Sequence, residues 1–317
     1  MASPRIVVIG SANTDLIVRV PHLPARGETV LGGEYSSAGG GKGANQAIAA
    51  RRLDAEVTFV GRVGRDSFGD ATIAAFEAEG MYTGYIARDD DARAGVALIL
   101  VEGSGENMIA VAPGSNSCLT TQDVEAAISP ILSSKSLVAQ LEVPIEAVRS
   151  GLEIARRFGT TTILNPSPVP ELGLPDDLYA LVDILVPNRD EASKLSHIDV
   201  VDRNSAELAG RMLLGRGAGS VVLTLGSEGS LVVTKDQVVE VPAYEVDVVD
   251  TVGAGDAFTA GLAVALGSGG TLERAAKLAT AAAALATTKQ GAQPSLPTIA
   301  EVAAFIASHR PKESLRP

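Results

Sequence analysis

Short runs of aliphatic and β-branched residues alternate with longer segments of helical periodicity, and this alternation constrains the fold more than any other feature. The runs include RIVVIG, EVTFVG, SLVAQLE, TTILNPS, DILVPN and SVVLTLG, and the segments include ANQAIAARRL and PIEAVRSGLEIARRFG. Such an order is typical of a parallel sheet with helices on both faces. We therefore predict an α/β fold with a doubly wound, mostly parallel sheet. In its last third, TLERAAKLATAAAALATTKQG indicates a helix buried on most of its circumference.

Two segments, 15–40 and 94–116, break this alternation because they contain strand and hairpin patterns without helices. We expect them to pair into one small β-sheet that lies across the main sheet as a lid. Isolated edge hairpins are the alternative. The chain contains no internal repeat and no linker rich in Pro, Gly or Ser, so we predict one domain over residues 1–317.

Composition excludes several classes of partner. The chain has 26 Lys and Arg against 38 Asp and Glu, a net charge of −12, which disfavours nucleic acid and anionic membrane surfaces. Cys118 is the only cysteine, so an intrachain disulfide is impossible and a reducing cytoplasm is expected. The apolar run near the start is too short for a signal peptide or a membrane span.

The stretch DTVGAGDAF, residues 250–258, places an aspartate beside a glycine-rich turn. We expect a strand to end here and a helix to begin near Asp256. Glycines allow backbone N–H groups to converge, and a helix N-terminus carries partial positive charge, so an oxyanion or phosphoryl group is favoured. The alternative is that Asp256 only caps the helix and the glycines only turn the chain.

Polar groups follow several other predicted strands. GGGKGANQA offers Lys42 and Asn45 at the start of a helix, and GSANTD offers Asn13 and Asp15 after the first strand. Glu142 follows a further strand, and Asn188 and Glu191 follow another. The carboxyl ends of parallel strands are where open α/β sheets bind ligands, and amides with carboxylates suit a polyhydroxylated ligand. Each group alone could equally be an Asx turn, a helix cap or a solvated side chain.

The standard nucleotide signatures are incomplete. Gly43 stands where a P-loop requires Ser or Thr, and Phe258 stands where a dinucleotide fingerprint requires its third glycine. Neither a P-loop ATPase nor a dinucleotide-dependent dehydrogenase is therefore supported.

The motifs taken together resemble the ribokinase-like family of carbohydrate and nucleoside kinases. GSANTD, GGGKGANQA, GENMIAVAPGSN, QLE, NPSP, PNRDE, TLGSEGS, DTVGAGDAF and KQGAQPS occur in this order over nearly the whole chain. DTVGAGD is the broader family signature, whereas GGKGANQA with GAQPS is more specific to ribokinases. The resemblance implies transfer of the γ-phosphoryl group of ATP to O5 of D-ribose, giving ribose 5-phosphate in the first step of ribose catabolism.

The resemblance also implies roles for individual residues. Asp256 would act on the reacting hydroxyl, and the backbone of Gly253, Ala254 and Gly255 would form an anion hole. A carboxylate at a helix N-terminus should be stabilised in its charged form, so we expect Asp256 to be a weak base that mainly aims the hydroxyl. Ribose would contact Asn13, Asp15, Gly41, Lys42, Gly43, Ala44, Asn45, Glu142 and Asp256.

The nucleotide and ion sites follow by the same resemblance. ATP would contact Asn188, Thr224, Leu225, Gly226, Ser227, Glu228, Gly229, Gly255, Asp256 and Thr280. Mg²⁺ would be ordered through water by Asn188 and Glu191. A potassium ion would be held, mostly by backbone carbonyls, at Asp250, Val252, Ala286, Lys289, Gly291 and Ser295.

One position departs from the family pattern, because Thr280 stands where related enzymes often carry His or Asn near the adenine.

The apolar face of the predicted lid makes a homodimer the expected assembly. The competing functions are a kinase of the same family acting on another sugar or a nucleoside, and a sugar-binding regulator without turnover.

Overall fold

A computed structural model gives the structure of residues 3–103 and 106–312. The structure does not describe residues 1–2, 104–105 and 313–317. All of them belong to the predicted domain, and residues 104–105 belong to the predicted lid. Within it the strands are β1 Arg5–Ile9, β2 Asn13–Val20, β3 Tyr35–Gly40, β4 Glu56–Gly64, β5 Ile86–Asp89, β6 Gly95–Glu102, β7 Asn107–Ala112, β8 Ser136–Ala139, β9 Thr161–Leu164, β10 Ile184–Leu185, β11 Ser220–Thr224, β12 Ser230–Val233 and β13 Val238–Val241.

The helices connect and cover these strands. They are α1 Lys42–Arg52, α2 Ser67–Ala78, α3 Thr121–Ala126, α4 Ile128–Ser133, α5 Ile145–Phe158, α6 Asp176–Tyr179, α7 Arg189–Ser196, α8 Arg203–Gly215, α9 Ala254–Gly267, α10 Leu272–Ala286, α11 Ala292–Ser295 and α12 Ile299–Ser308. Short 3₁₀ turns occupy Gly114–Cys118 and Gly226–Glu228.

Nine strands form the main sheet in the order β13-β12-β11-β10-β9-β8-β1-β4-β5. Neighbours from β11 to β5 pair in parallel, and β12 and β13 add an antiparallel edge. Alternate residues of β1 enter different cores, since Val8 belongs to the core that includes residues of α1, α9 and α10 and Val7 to the core that includes residues of α3, α5 and α8. Helices therefore cover both faces, which confirms the predicted doubly wound α/β fold.

The Ala-rich segment forms α10, which packs against α9; seven of its 15 residues are buried, and only Arg274 and Lys277 are exposed. The two helices approach closely at Gly261, where an added Cβ would lie 3.1 Å from the Cα of Ala279. Small side chains allow this approach and leave little room for substitution. Of the helices in the described ranges, none has the length and apolar character needed to cross a bilayer.

A second sheet has the order β3-β2-β6-β7. The segments 15–40 and 94–116 meet where β2 pairs in parallel with β6, in the register Asn13↔Gly95, and β3 and β7 add antiparallel edges. The predicted small β-sheet is therefore present, and the two segments are not separate edge hairpins. We call it the lid sheet.

The expected strand before the glycine-rich turn is absent. Residues 245–251 have no regular secondary structure apart from a bend, whereas the helix is present as expected, beginning at Ala254 with Asp256 in its first turn. The apolar residues Val248 and Val249 in this stretch are more than half exposed, so no sheet neighbour covers them. Periodicity alone did not distinguish this exposed apolar run from a strand.

Candidate functional site

A cavity of about 350 Å³ lies between the lid sheet and the carboxyl edge of the main sheet. Residues that end or follow β1, β8, β9, β10 and β11 supply its floor, and the lid sheet supplies Ala97, Ile99, Ile109 and Val111. The cavity brings together most of the predicted sugar site, namely Asn13, Asp15, Gly41, Lys42, Asn45, Glu142 and Asp256. We call it the sugar cavity after the predicted sugar site that it contains.

Gly43 and Ala44, also predicted to contact the sugar, do not line this cavity. Gly43 lies in α1 against the turn after β1, where an added Cβ would be 2.6 Å from the carbonyl carbon of Gly10. Ala44 donates its N–H to the carbonyl of Ser11 at 2.8 Å. Both residues thus hold α1 against the end of β1.

Asp256 lies in the first turn of α9 and is 7% exposed. Its Oδ2 accepts a hydrogen bond from Nδ2 of Asn45 at 2.9 Å, and its Oδ1 accepts one from Nε2 of Gln46 at 3.0 Å. Burial raises the pKa of Asp256, while the nearby Lys42 ammonium and the two amides oppose the rise. The expectation that the helix N-terminus makes Asp256 a weak base is therefore wrong in direction, because desolvation outweighs the stabilisation of charge.

The turn before α9 presents backbone donors to the cavity. Gly253 has φ +83°, a conformation in the left-handed region that favours glycine, and it is the N-cap of α9. The N–H of Ala254 donates to the carbonyl of Thr251 at 3.2 Å. Among the described atoms, the N–H groups of Gly253, Gly255 and Asp256 have no acceptor, as expected at a helix start. These three groups, rather than that of Ala254, can bind an anion.

Asn13 and Asp15 point into the sugar cavity from β2. Asn13 Oδ1 accepts from Nδ2 of Asn116 at 2.7 Å, which directs the Nδ2 donor of Asn13 away from Asn116. The Asp15 carboxylate has no hydrogen bond to any described residue, and its pKa is raised to about 6 by burial and by the charges of Glu142 and Asp256. The pair offers one donor and one acceptor to vicinal hydroxyls.

Glu142 joins the floor of the cavity to the start of α1. Its Oε2 accepts from the Ser11 hydroxyl at 2.6 Å and from the backbone N–H of Lys42 at 2.9 Å. The Lys42 side chain lines the cavity and lowers the pKa of both Asp256 and Glu191 against the effect of their burial. The Lys42 ammonium thus stabilises the charged forms of both carboxylates.

Asn188 and Glu191 form a capping box at the start of α7. The N–H of Glu191 donates to Asn188 Oδ1 at 2.8 Å, and the N–H of Asn188 donates to Glu191 Oε2 at 2.8 Å. Both residues also line the sugar cavity, and burial raises the pKa of Glu191. The helix cap, left open as an alternative by the sequence, is therefore present and does not remove these side chains from the site.

A second cavity of about 460 Å³ lies beside the first. Its walls are largely apolar, with Val246, Phe258 and Ala283 among them. Thr224, Thr251 and Gly255 line both cavities, so the two spaces meet at the turn before α9. The predicted nucleotide residues that line the second cavity are Thr224, Gly226, Ser227, Gly229, Gly255 and Thr280.

Three predicted nucleotide residues have other contacts. Leu225 is 8% exposed and belongs to the core beneath the sheet, and Glu228 pairs with Arg189 at 2.7 Å. Thr280 lines the second cavity, but its hydroxyl donates to the carbonyl of Ala276 at 2.9 Å. The same oxygen lies 3.4 Å from the Ser230 hydroxyl, so the Thr280 hydroxyl is engaged within the protein.

The sequence profile described as pfkB family carbohydrate kinase matches residues 3–299. The chain belongs to this family of carbohydrate kinases. A ribokinase from Haemophilus influenzae is 38% identical over 301 residues, covering 95% of this chain and 98% of that protein. A deoxyribokinase from Salmonella typhi is 36% identical over 303 residues, covering 95% and 98%. The structure of an Arabidopsis thaliana ribokinase complexed with ribose and ATP is 30% identical, covers 96% of this chain and 98% of that one, and superposes with a TM-score of 0.85. The family resemblance inferred from the motifs is confirmed.

In this carbohydrate kinase four of the six residues predicted to hold potassium lie in loops, namely Asp250, Val252, Lys289 and Gly291, whereas Ala286 ends α10 and Ser295 ends α11. Asp250 joins the loops, since Oδ2 accepts from the N–H of Gly291 at 2.9 Å and Oδ1 from that of Val252 at 3.0 Å. Lys289 pairs with Glu301 at 2.8 Å, and the Ser295 hydroxyl donates to the carbonyl of Ala292 at 2.7 Å. Ala286 is buried at the end of α10.

Several site residues were not selected from the sequence. The buried Gln46 and Gln140 and the partly buried Asn165, which lines the cavity, form an amide network beside Asp256; Asn116 orients Asn13, and Ser11 contacts Glu142. Gln46, Gln140, Asn165 and Asn116 all lie inside or at the edge of the motifs that carry the family resemblance. The available signal was therefore the motif itself, since an amide among apolar residues has no periodicity of its own.

Proposed function

We propose that this chain is an ATP-dependent kinase that phosphorylates D-ribose at O5, giving D-ribose 5-phosphate and ADP in the first step of ribose catabolism. The observation that carries the proposal is the meeting of the polar sugar cavity and the largely apolar second cavity at Gly255, next to the buried Asp256. A sugar and a nucleotide bound in these cavities would face each other across the anion-binding turn. Full-length similarity to ribokinases supports the choice of sugar.

The chemistry follows from this arrangement. The sugar hydroxyl oxygen forms a bond to the γ-phosphorus as the bond from that phosphorus to the bridging oxygen of ADP breaks, and the hydroxyl proton passes to Asp256. Phosphoryl transfer has a loose transition state, so positioning and charge stabilisation contribute most of the rate. The raised pKa of Asp256 makes it a better proton acceptor once the attacking oxygen begins to lose its proton.

The open N–H groups of Gly253, Gly255 and Asp256 would donate to the oxygens of the transferring phosphoryl group. They are fixed by the start of α9 and need no reorganisation during the reaction, which is the condition for strong electrostatic stabilisation. Lys42 would add a positive charge on the side of the sugar cavity.

Mg²⁺ is a proposed companion of the nucleotide. The buried Glu191 carboxylate faces the sugar cavity with one oxygen outside the capping bonds, and Asn188 lies beside it, so both fit a role in holding water around the ion. The ion would neutralise charge on the phosphates.

A potassium ion fits the loops joined by Asp250. Among described residues, no N–H donates to the carbonyl oxygens of Asp250 and Val252, which leaves oxygens for a monovalent cation. Such an ion would stabilise the turn that leads to Gly253. We expect turnover to fall when potassium is replaced by a bulky organic cation at fixed ionic strength. Equal turnover in both salts would contradict the proposed cation site.

A homodimer through the lid sheet is also proposed. Leu98 and Met108 lie on the face opposite to the sugar cavity and are 55% and 49% exposed. Exposed apolar side chains of this kind commonly mark association surfaces. Sedimentation should give twice the chain mass, and Leu98→Glu should lower it, whereas a monomeric wild type would contradict the proposal. A cytoplasmic location is proposed from the single cysteine, and fractionation tests it.

The closest competing substrate is 2-deoxyribose, because a deoxyribokinase matches over nearly the same length as the ribokinases. A coupled ADP assay with ribose, 2-deoxyribose, fructose and adenosine, with and without potassium, separates the alternatives. The highest kcat/KM on ribose supports the proposal. A higher value on another acceptor reassigns the substrate, and binding of ribose without ADP release indicates a regulator.

A further inference from the structure

A chain of buried and partly buried side-chain amides runs from the carboxyl edge of the main sheet to Asp256. Gln46 and Gln140 are both 0% exposed. Nε2 of Gln46 donates to Asp256 Oδ1 at 3.0 Å and to Asn165 Oδ1 at 3.1 Å, so both of its N–H groups are used. Its Oε1 accepts from Nε2 of Gln140 at 2.5 Å. Such a network is costly to leave incomplete in a buried position.

The orientation of each amide follows from one fixed acceptor. Nδ2 of Asn165 donates to the backbone carbonyl of Val186 at 3.0 Å, and a carbonyl can only accept. Oδ1 of Asn165 must therefore face Gln46, which requires Gln46 to present its nitrogen to this side. The oxygen of Gln46 then faces Gln140 and accepts from its Nε2.

The sheet supplies this reference. Gln140, Asn165 and Val186 directly follow the adjacent parallel strands β8, β9 and β10. Their relative positions are set by strand pairing, which is rigid, whereas Gln46 lies on α1 and Asp256 on α9. The amide chain therefore fixes the positions of α1 and α9 relative to the carboxyl edge of the main sheet.

We infer that Gln46 is a positioning residue for the reaction, which it promotes by holding the Asp256 carboxylate in one rotational orientation. Asn45 holds one carboxylate oxygen and Gln46 the other, so the group cannot turn about its Cβ–Cγ bond without losing a buried hydrogen bond. One lone pair of the carboxylate is thereby kept toward the sugar cavity. With Asn45 alone, the carboxylate could pivot about a single contact. The inference rests on the proposed function, in which Asp256 meets the reacting hydroxyl.

The test is Gln46→Met, which keeps the length of the side chain and removes both donors. We expect kcat to fall about 10- to 100-fold while the KM values for ribose and ATP change less than about threefold, because only alignment is lost. Gln140→Met leaves the donors of Gln46 in place but removes their anchor, so its loss in kcat should be smaller. Thr160→Val, which removes a buried hydroxyl bonded to the Ile131 carbonyl on another part of the fold, is the control for loss of a polar core group.

A double-mutant cycle separates positioning from general damage. In an Asp256→Asn background Gln46→Met should reduce the residual kcat less than about twofold, because the group on which Gln46 acts is already changed. An equal loss in both backgrounds would overturn the inference, as would wild-type kcat in Gln46→Met. If Gln46→Met does not fold, wild-type kcat in Gln140→Met overturns it. A wild type that phosphorylates no sugar would overturn the proposed function as well, whereas the variant results concern Gln46 alone.

Discussion

Gly255→Ala is expected to stabilise the protein and to disable it. Gly255 is the second residue of α9, its φ lies outside the left-handed region, and an added Cβ would meet no heavy atom within 4 Å. Alanine is therefore sterically compatible with the folded chain. Because glycine in a helix is less stable than alanine by about 0.5–1 kcal/mol, the unfolding free energy should rise by up to about this amount.

The open space around that Cβ is where the sugar cavity and the second cavity meet. The new methyl group would lie in the path of the phosphoryl group while every backbone donor stays in place. A displacement of reacting groups by about 1 Å can reduce the rate about 10²-fold, and we expect a loss of this order in kcat.

Calorimetry and the coupled ADP assay measure the two effects. The melting temperature should rise by about 1–3 °C, given the size of the chain. Gly253→Ala is the matched control, because its φ of +83° and a distance of 3.1 Å from the added Cβ to the Cα of Ala292 oppose any side chain. It should lose about 1–2 kcal/mol. Unchanged kcat in Gly255→Ala would refute the argument that phosphoryl transfer crosses this point, and a lower melting temperature would refute the steric argument.

Three further predictions concern the carboxylates. Asp256→Asn should lower kcat about 10²- to 10⁴-fold with a modest change in ribose KM, and near-wild-type kcat in steady-state assays would exclude Asp256 as the base. Glu142→Ala should raise the ribose KM about tenfold or more, because it removes a charged acceptor and leaves the backbone N–H of Lys42 without its partner. Glu142→Gln should change the ribose KM less. An effect on the ATP KM alone would contradict this prediction. The pKa of Asp15 is raised from 3.8 to about 6 in the folded protein, so the folded form binds a proton more readily than the unfolded chain. Protonation of Asp15 therefore stabilises the fold; this contribution is complete below pH 3.8 and is lost as the pH rises through about 6. Between pH 3.8 and about 6 the melting temperature of the wild type should therefore fall relative to that of Asp15→Asn. Over the same pH range the ribose KM should fall as Asp15 ionises. Parallel curves of melting temperature against pH for the two proteins would show that Asp15 does not titrate there.

The order of elements and their types could be predicted from the sequence because they depend on local pattern. Runs such as RIVVIG are apolar on both faces, as Val7 and Val8 show by entering opposite cores, and only a strand between two helical layers satisfies that pattern. The apolar run before Asp250 has similar composition but no covering neighbour, which is why a strand was wrongly expected there.

The site also contains residues that local sequence could predict and residues that it could not. The motifs identified residues that reach the sugar cavity, including Asn13, Lys42 and Asp256, because their positions after strands or at helix starts are encoded locally. They did not separate Gly43, which faces Gly10, from Gly41, which lines the cavity, because that depends on how α1 sits against the sheet.

Periodicity and residue order were enough to predict the fold class, the family and most of the polar groups at the strand ends. The protonation tendency of Asp256 and the contacts of Gln46 depend on how distant segments pack. A helix N-terminus argues for a charged carboxylate, but burial beneath the lid sheet and α1 reverses the direction of its pKa. Gln46 contacts Asp256 across 210 residues of chain, and no local pattern records a hydrogen bond between two helices that meet only after folding.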